Sequence, residues 1–487
     1  KYYTIMIPRP SHRVSLVCSF IAALIVANVS GPQYIYPTFG TSLKERFQWT
    51  ALQNSFVSTA CFVGVSFSGP LCAWMIESLG ITKTLRVSAF LIFCGPFLVA
   101  QTYAGRLFDS FILCTIYLMF TGLAGAAAYL CALDSQSHNF KQRRGLSMGL
   151  TTASVGVCGV VFSQVNDLLF SSDYYESDAP VDNDSTYNFL IFLAFSMSTG
   201  IFVGSFFLGP LSTDTTELNQ TPYQQIVTDE EEQRPLQHDT VERSPLLEMI
   251  DSHDVHEMKT DEISISGIQF LKHPIGFSLF CTMFVILGVG YVYLANIGQI
   301  LNAVSSDSDQ HTRNFHITLF SLGNCASRAF FGALSDILRN KLGIHRIWIF
   351  VFAVISMLAT LTFLVSASNI TVDALVPCTL IISTAYGIAF GVAPATTTEF
   401  GTEVFARNWG LLLFAPAFGS QIFNLLFGMF YGHHAEKQGS DSCHGSTCFE
   451  GTFRIGIICS IGVLCVLSLA IYKAGLYRRR IPIEKLH

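Results

Sequence analysis

The chain reads as an all-α integral membrane protein with twelve transmembrane helices in two six-helix bundles. Three observations predict this. A dozen apolar runs of roughly 20 residues recur along 487 residues, the length at which a helix crosses a bilayer. A polar, acidic stretch from about Leu211 to Gly267 divides them six and six, the layout of transporters built from two repeated halves. The chain is 51% hydrophobic and 13% charged, against about 25% charged in an ordinary soluble protein.

The first half gives spans over Val14–Thr38, Leu52–Leu79, Leu85–Tyr103, Phe108–Leu133, Leu146–Phe170 and Tyr187–Leu211. The second gives Ile275–Leu301, Ile317–Leu338, Ile347–Val365, Ala374–Thr398, Gly410–Tyr431 and Phe453–Tyr472. Gly69-Pro70, Gly95-Pro96, Pro394 and Pro416 lie inside spans, where neighbouring helices re-satisfy the backbone groups that proline frees. Stripes such as Gly122, Gly125, Ala128 and Gly149, Gly156, Gly159 suit close helix packing. The domains expected are an N-terminal segment (1–13), a first bundle (14–211), a mostly disordered acidic linker (212–272), a second bundle (273–475) and a basic tail (476–487).

The formal net charge of −6 is misleading. Between Ser212 and Ser266 stand 14 acidic residues against three bases, a balance of −11 that leaves the rest at +5. A basic membrane body with an acidic loop offers no nucleic-acid surface. Twelve of the 14 cysteines fall in apolar segments, where a thiol is a small packing residue. Cys443 and Cys448 fall in the loop after the eleventh span and are able to pair if that loop faces an oxidising compartment.

Basic residues in short loops set the orientation. Lys83 and Arg86 follow the second span, Lys141, Arg143 and Arg144 the fourth, and Arg339, Lys341 and Arg346 the eighth. The loop Ser171–Thr186 has five carboxylates and no base. Lys44 and Arg46 in the first loop dissent. Both termini and the linker are therefore expected in the cytosol, with the sequon at Asn183 lumenal and open to glycosylation.

Between spans 2 and 3 stands Ala73-x-x-x-Glu77-x-x-Gly80-x-x-Lys83, and between spans 8 and 9 stands Gly332-Ala-Leu-Ser-Asp336, followed by Arg339 and Lys341. Here the chain resembles the major facilitator superfamily, whose 2–3 loop carries Gly-x-x-x-Asp-x-x-Gly and bases, often echoed at 8–9. The first copy departs from that pattern, with Ala for Gly and Glu for Asp. The resemblance implies the fold of two six-helix bundles and a gating role for Glu77 and Asp336. A carboxylate at a helix end can hold a base or a helix N-terminus of the opposite half in one state and release it in the other. Arg328, two turns before Asp336 on the same helix, joins them as a gating candidate.

No Asp, Glu, Lys or His sits near the middle of any span, Asp134, Glu399 and His316 all lying near ends. This argues against the usual proton relay. It leaves neutral groups to read the cargo: Gln33, Tyr34 and Tyr36 on span 1; Tyr291, Tyr293, Asn296 and Gln299 on span 7; Asn324 on span 8, Tyr386 on span 10, Gln421 and Asn424 on span 11. No cofactor and no metal site is expected; His433-His434 reads as a solvated pair. In the linker, Glu242-Arg-Ser-Pro-Leu-Leu247 is an acidic dileucine, in which Glu242, Leu246 and Leu247 would engage a sorting adaptor complex.

Ser244-Pro-Leu-Leu-Glu248, the run Gly410-Leu-Leu-Leu-Phe-Ala-Pro-Ala-Phe-Gly-Ser420 and the Cys443/Cys448 loop look like the fungal MCH family, vacuolar-membrane homologues of monocarboxylate transporters close to the nodulin-like branch. That resemblance implies a secondary transporter moving a small solute across the vacuolar membrane; the family name does not supply the substrate. A transporter-shaped solute sensor signalling through the linker is the alternative, and flux separates the two. A membrane enzyme would need paired catalytic groups within the bilayer, which these spans lack.

Overall fold

The structure, a computed structural model, describes residues 12–49, 51–170, 185–211, 264–305, 310–367, 370–439 and 443–476. All regular structure among them is helical. The first bundle holds α1 (His12–Val29), α2 (Ala51–Phe67, continued by Gly69–Leu79), α3 (Ile81–Tyr103), α4 (Phe111–Asn139), α5 (Arg144–Leu169) and α6 (Ser185–Gly204). The second holds α7 (Pro274–Ala295), α8 (Gln310–Leu342), α9 (Ile347–Ser366), α10 (Val372–Thr397), α11 (Phe405–Leu412, continued by Phe414–Gln438) and α12 (Thr447–Lys473). Among the described residues nine helices are long and apolar enough to cross a membrane, and the two parts of α2, bent by 54°, make a tenth. α1 is shorter, and α8 is more polar than these. Outward-facing Phe90, Leu425 and Ile458 are each about two-thirds exposed, as residues in contact with lipid tails are.

Three boundaries differ from the sequence-based expectation. Hydropathy extends the first span to Thr38, yet α1 ends at Val29. Pro32 and Pro37 cannot continue an α-helix ladder, and the chain instead makes two short 3-10 turns, Pro32–Tyr34 and Tyr36–Thr38. α8 begins at Gln310 rather than Ile317, because His311, Arg313, Asn314 and His316 are helical although polar. The linker was drawn to residue 272, but from 264 onward it is docked. The backbone N–H of Ile265 donates to the Phe400 carbonyl at 3.0 Å, and the Asn408 amide bonds Gly267 N and Ile265 O at 3.0 and 2.8 Å.

The bundles meet along α5–α8 and α2–α11, with α5 also against α10. Glycine makes both principal contacts possible. A Cβ on Gly332 would lie 2.4 Å from the Gly145 carbonyl oxygen, and one on Gly410 would lie 2.6 Å from that of Gly69. Any side chain would part these helices. Gly69 also precedes Pro70 where α2 bends; the missing proline N–H accounts for the break.

Candidate functional site

Both meeting lines end at the face carrying the 2–3, 4–5 and 8–9 loops, and both end in a carboxylate. On α8, Asp336 lies 7% exposed opposite the N-terminus of α5. Its two oxygens accept the backbone N–H groups of Gly145 and Leu146 at 2.9 and 2.8 Å. The first turn of a helix has no acceptor of its own for such groups, so Asp336 caps a helix of the opposite bundle and sits at its positive end. Arg346, 1% exposed, donates to Asp336 at 2.6 Å and to Glu399 at 2.6 Å. Glu399 also accepts from His345 at 2.7 Å and Arg339 at 3.3 Å. Arg144 adds a second crossing by donating to the Thr402 hydroxyl at 2.6 Å.

The equivalent junction of the other half is simpler. Glu77 at the end of α2 takes a bidentate bond from Arg407 at the start of α11, at 2.9 and 2.6 Å. It is a surface pair, 31% and 50% exposed. The two motif carboxylates are therefore brought into matching cross-bundle bonds, one buried and one solvated. Sequence reasoning missed their partners: Arg346 was counted only as a loop base, Glu399 only as a span end, and Arg407 was not singled out. The available signal was position, since each is a charged residue within a few positions of an apolar run.

Arg328 does not join this network. With α8 starting at Gln310, it is the nineteenth of 33 residues, about 12 Å along the axis from Asp336. It does not snorkel to the surface; it is 2% exposed. Its Nε donates to Asn324 Oδ1 at 2.9 Å and one terminal nitrogen to the Thr152 carbonyl on α5 at 2.7 Å. The guanidinium lies 4.6 Å from the Phe390 ring centroid, a cation–π contact. Its other terminal nitrogen, Nη2, is buried without a hydrogen-bond partner in the protein, and no described carboxylate forms an ion pair with it. A cation thus lies mid-bundle.

Tyr129 and Tyr386 are each within electrostatic reach of Arg328 and Tyr34, and Tyr291 within reach of Tyr34 and Tyr386. Tyr291 stacks on Phe62 of the first bundle at 5.1 Å, while Tyr386 packs on Phe320 and Phe390. Tyr129 is the member that sequence reasoning passed over. Tyr293 is wholly buried and bonds Thr379 at 2.7 Å, which also bonds His316 Nδ1 at 2.7 Å. That places Tyr293 inside the second bundle rather than between the two. Tyr36 is buried against Phe39 in the first bundle. Gln33 is half-buried, with a carbonyl oxygen that has no partner. Asn296 bonds Asn424 at 2.9 Å, joining α7 to α11; Gln299 and Gln421 are exposed.

Cys443 and Cys448 are joined by a disulfide. No group of three or more His, Cys, Asp or Glu among the described residues could hold a metal ion. Asn183, Glu242, Leu246 and Leu247 lie outside the described residues.

Residues 16–423 match the family model described as Major Facilitator Superfamily. The chain is 24% identical over 480 residues to the "Probable transporter MCH1" of Saccharomyces cerevisiae, covering 95% of this chain and 93% of that one. It is 23% identical over 462 residues to the protein of the same name in Wickerhamomyces anomalus, covering 93% and 87%. Among solved structures it resembles the proton:xylose symporter XylE (TM-score 0.62, 11% identity, 92% and 95% covered). It also resembles the fucose:proton symporter FucP of E. coli (TM-score 0.53, 13% identity, 95% and 99% covered).

Proposed function

This chain belongs to the Major Facilitator Superfamily, a family of membrane transporters rather than enzymes, and on that premise we propose that it carries a small organic anion across the vacuolar membrane by alternating access. The observation behind the choice of cargo is Arg328. A buried cation without a counter-charge is costly, and a free donor nitrogen among tyrosine hydroxyls and apolar rings suits a carboxylate. Asn324 and the Thr152 carbonyl hold the guanidinium in place; Tyr34, Tyr129, Tyr291 and Tyr386 supply further hydroxyls from both bundles. The latch at Asp336 and Glu77 would close one face while cargo exchanges at the other.

Two features support a vacuolar location with the linker in the cytosol: the acidic dileucine at Glu242–Leu247 and the similarity to the fungal MCH proteins. Replacing Leu246 and Leu247 by Ala should redirect a fluorescent fusion toward the cell surface or endosomes. A mutant that still marks only the vacuolar membrane would make the signal dispensable.

The cargo is tested on purified protein by thermal melting with a panel of small carboxylates and their uncharged amides. Stabilisation by some carboxylates, absent with the amides and lost in Arg328→Gln, is expected. Equal stabilisation by the amides, or stabilisation that survives the substitution, removes the anion reading. Proteoliposome flux of a stabilising carboxylate then separates a carrier from a sensor, which would bind without moving it.

A further inference from the structure

A groove of about 550 Å³ opens between the start of α7 and the end of α12. It includes neither the latch residues nor Arg328 and its neighbours. Its walls include Leu271, Phe277, Val466 and Leu469, and its rim includes Lys272 and Lys473. Phe277 is 49% and Leu469 53% exposed, on helices whose other faces pack into the bundle, so the groove faces outward to the bilayer. It lies at the same end of the molecule as the latch, because Phe270 and His273, which flank Lys272, pack on Phe400 beside Glu399. Both lysines are exposed, neither forms an ion pair with a described carboxylate, and no carboxylate lines the groove.

We infer that this groove is a site for an anionic phospholipid, its phosphate headgroup between Lys272 and Lys473 and an acyl chain along Leu271, Phe277, Val466 and Leu469. The argument is complementarity at both ends. The apolar walls match a hydrocarbon chain, while two ammonium groups on separate helices match one phosphate at the level where headgroups lie. Basic pockets between transmembrane helices bind such lipids, and each lysine near the surface contributes about a fivefold preference. The N-terminus of α7, beginning at Pro274 on the groove wall, adds favourable potential for an anion. A lipid seated here would bridge the first and last helices of the second bundle, and its retention would depend on leaflet composition.

The test is native mass spectrometry of the purified full chain, mixed with dioleoyl phosphatidylserine or dioleoyl phosphatidylcholine. The wild type should retain one phosphatidylserine in preference to phosphatidylcholine. Lys272→Gln with Lys473→Gln should cut that preference by roughly 25-fold. Val466→Trp, which fills the groove and leaves both lysines, should also weaken it. Both lysines are exposed, so their loss should leave folding intact. Equal retention of the two lipids, an unchanged preference in the lysine variant, or full retention in Val466→Trp would each overturn the site. So would displacement of the lipid by millimolar inorganic phosphate, which would mark a site for a free anion.

Discussion

Arg346 holds Asp336 with Nη2 and Glu399 with Nη1, each at 2.6 Å and largely out of water. Removing it leaves two buried carboxylates with only Arg339 and His345 beside Glu399. Breaking a buried pair in this way costs about 3–5 kcal/mol. Arg407 faces Glu77 at the surface, where an exposed pair is worth about 0–1 kcal/mol. Arg346→Gln should therefore lower the melting temperature of purified protein by several degrees, while Arg407→Gln should barely move it. Equal losses would mean that burial does not distinguish the two junctions. On the same reasoning Asp336→Asn weakens the latch more than Glu77→Gln. It gives up two charge-assisted bonds to a helix N-terminus of the opposite bundle, on the order of 2–3 kcal/mol. That corresponds to a roughly 30- to 150-fold shift between closed and open states.

At the level of helices, the latch depends on how nearly α5 and α8 can touch. Gly332→Val would drive two methyl groups into the Gly145 carbonyl, 2.4 Å from where a Cβ would stand. The helices must part while each bundle stays folded, so a cysteine placed near Gly145 should label faster from that face in this variant. Unchanged labelling would show that the close approach is not what seals it. The twelve helices were legible in the sequence because hydropathy registers directly in composition, and so were Glu77 and Asp336, which stand at matching junctions. The depth of Arg328 was legible, since it is the twelfth of 22 residues in the span Ile317–Leu338, but its lack of a described carboxylate partner was not. Hydropathy ends a span where polar residues begin, so the polar first turns of α8, with His311, Arg313 and His316, hid seven residues of helix. Nor could Arg346, Glu399 and Arg407 be matched to partners, since ion pairs across some 50 to 330 residues of sequence leave no local pattern. Proline punctuation at Pro32 and Pro37 was readable and was overridden by the apolar run around it.

For the molecule as a whole, alternating access requires two bundles that part and rejoin at the face bearing the 2–3 and 8–9 loops. Lys83 at the start of α3 and Lys341 at the end of α8 are exposed on opposite bundles at that face. Spin labels at these two positions report its width without knowledge of the cargo. The wild-type distance distribution should be dominated by the latched separation. The Glu77→Gln/Asp336→Asn double variant should move a large share of molecules into a second, distinctly longer population. A single distance, the same in wild type and in the double variant, would contradict alternating access through this latch.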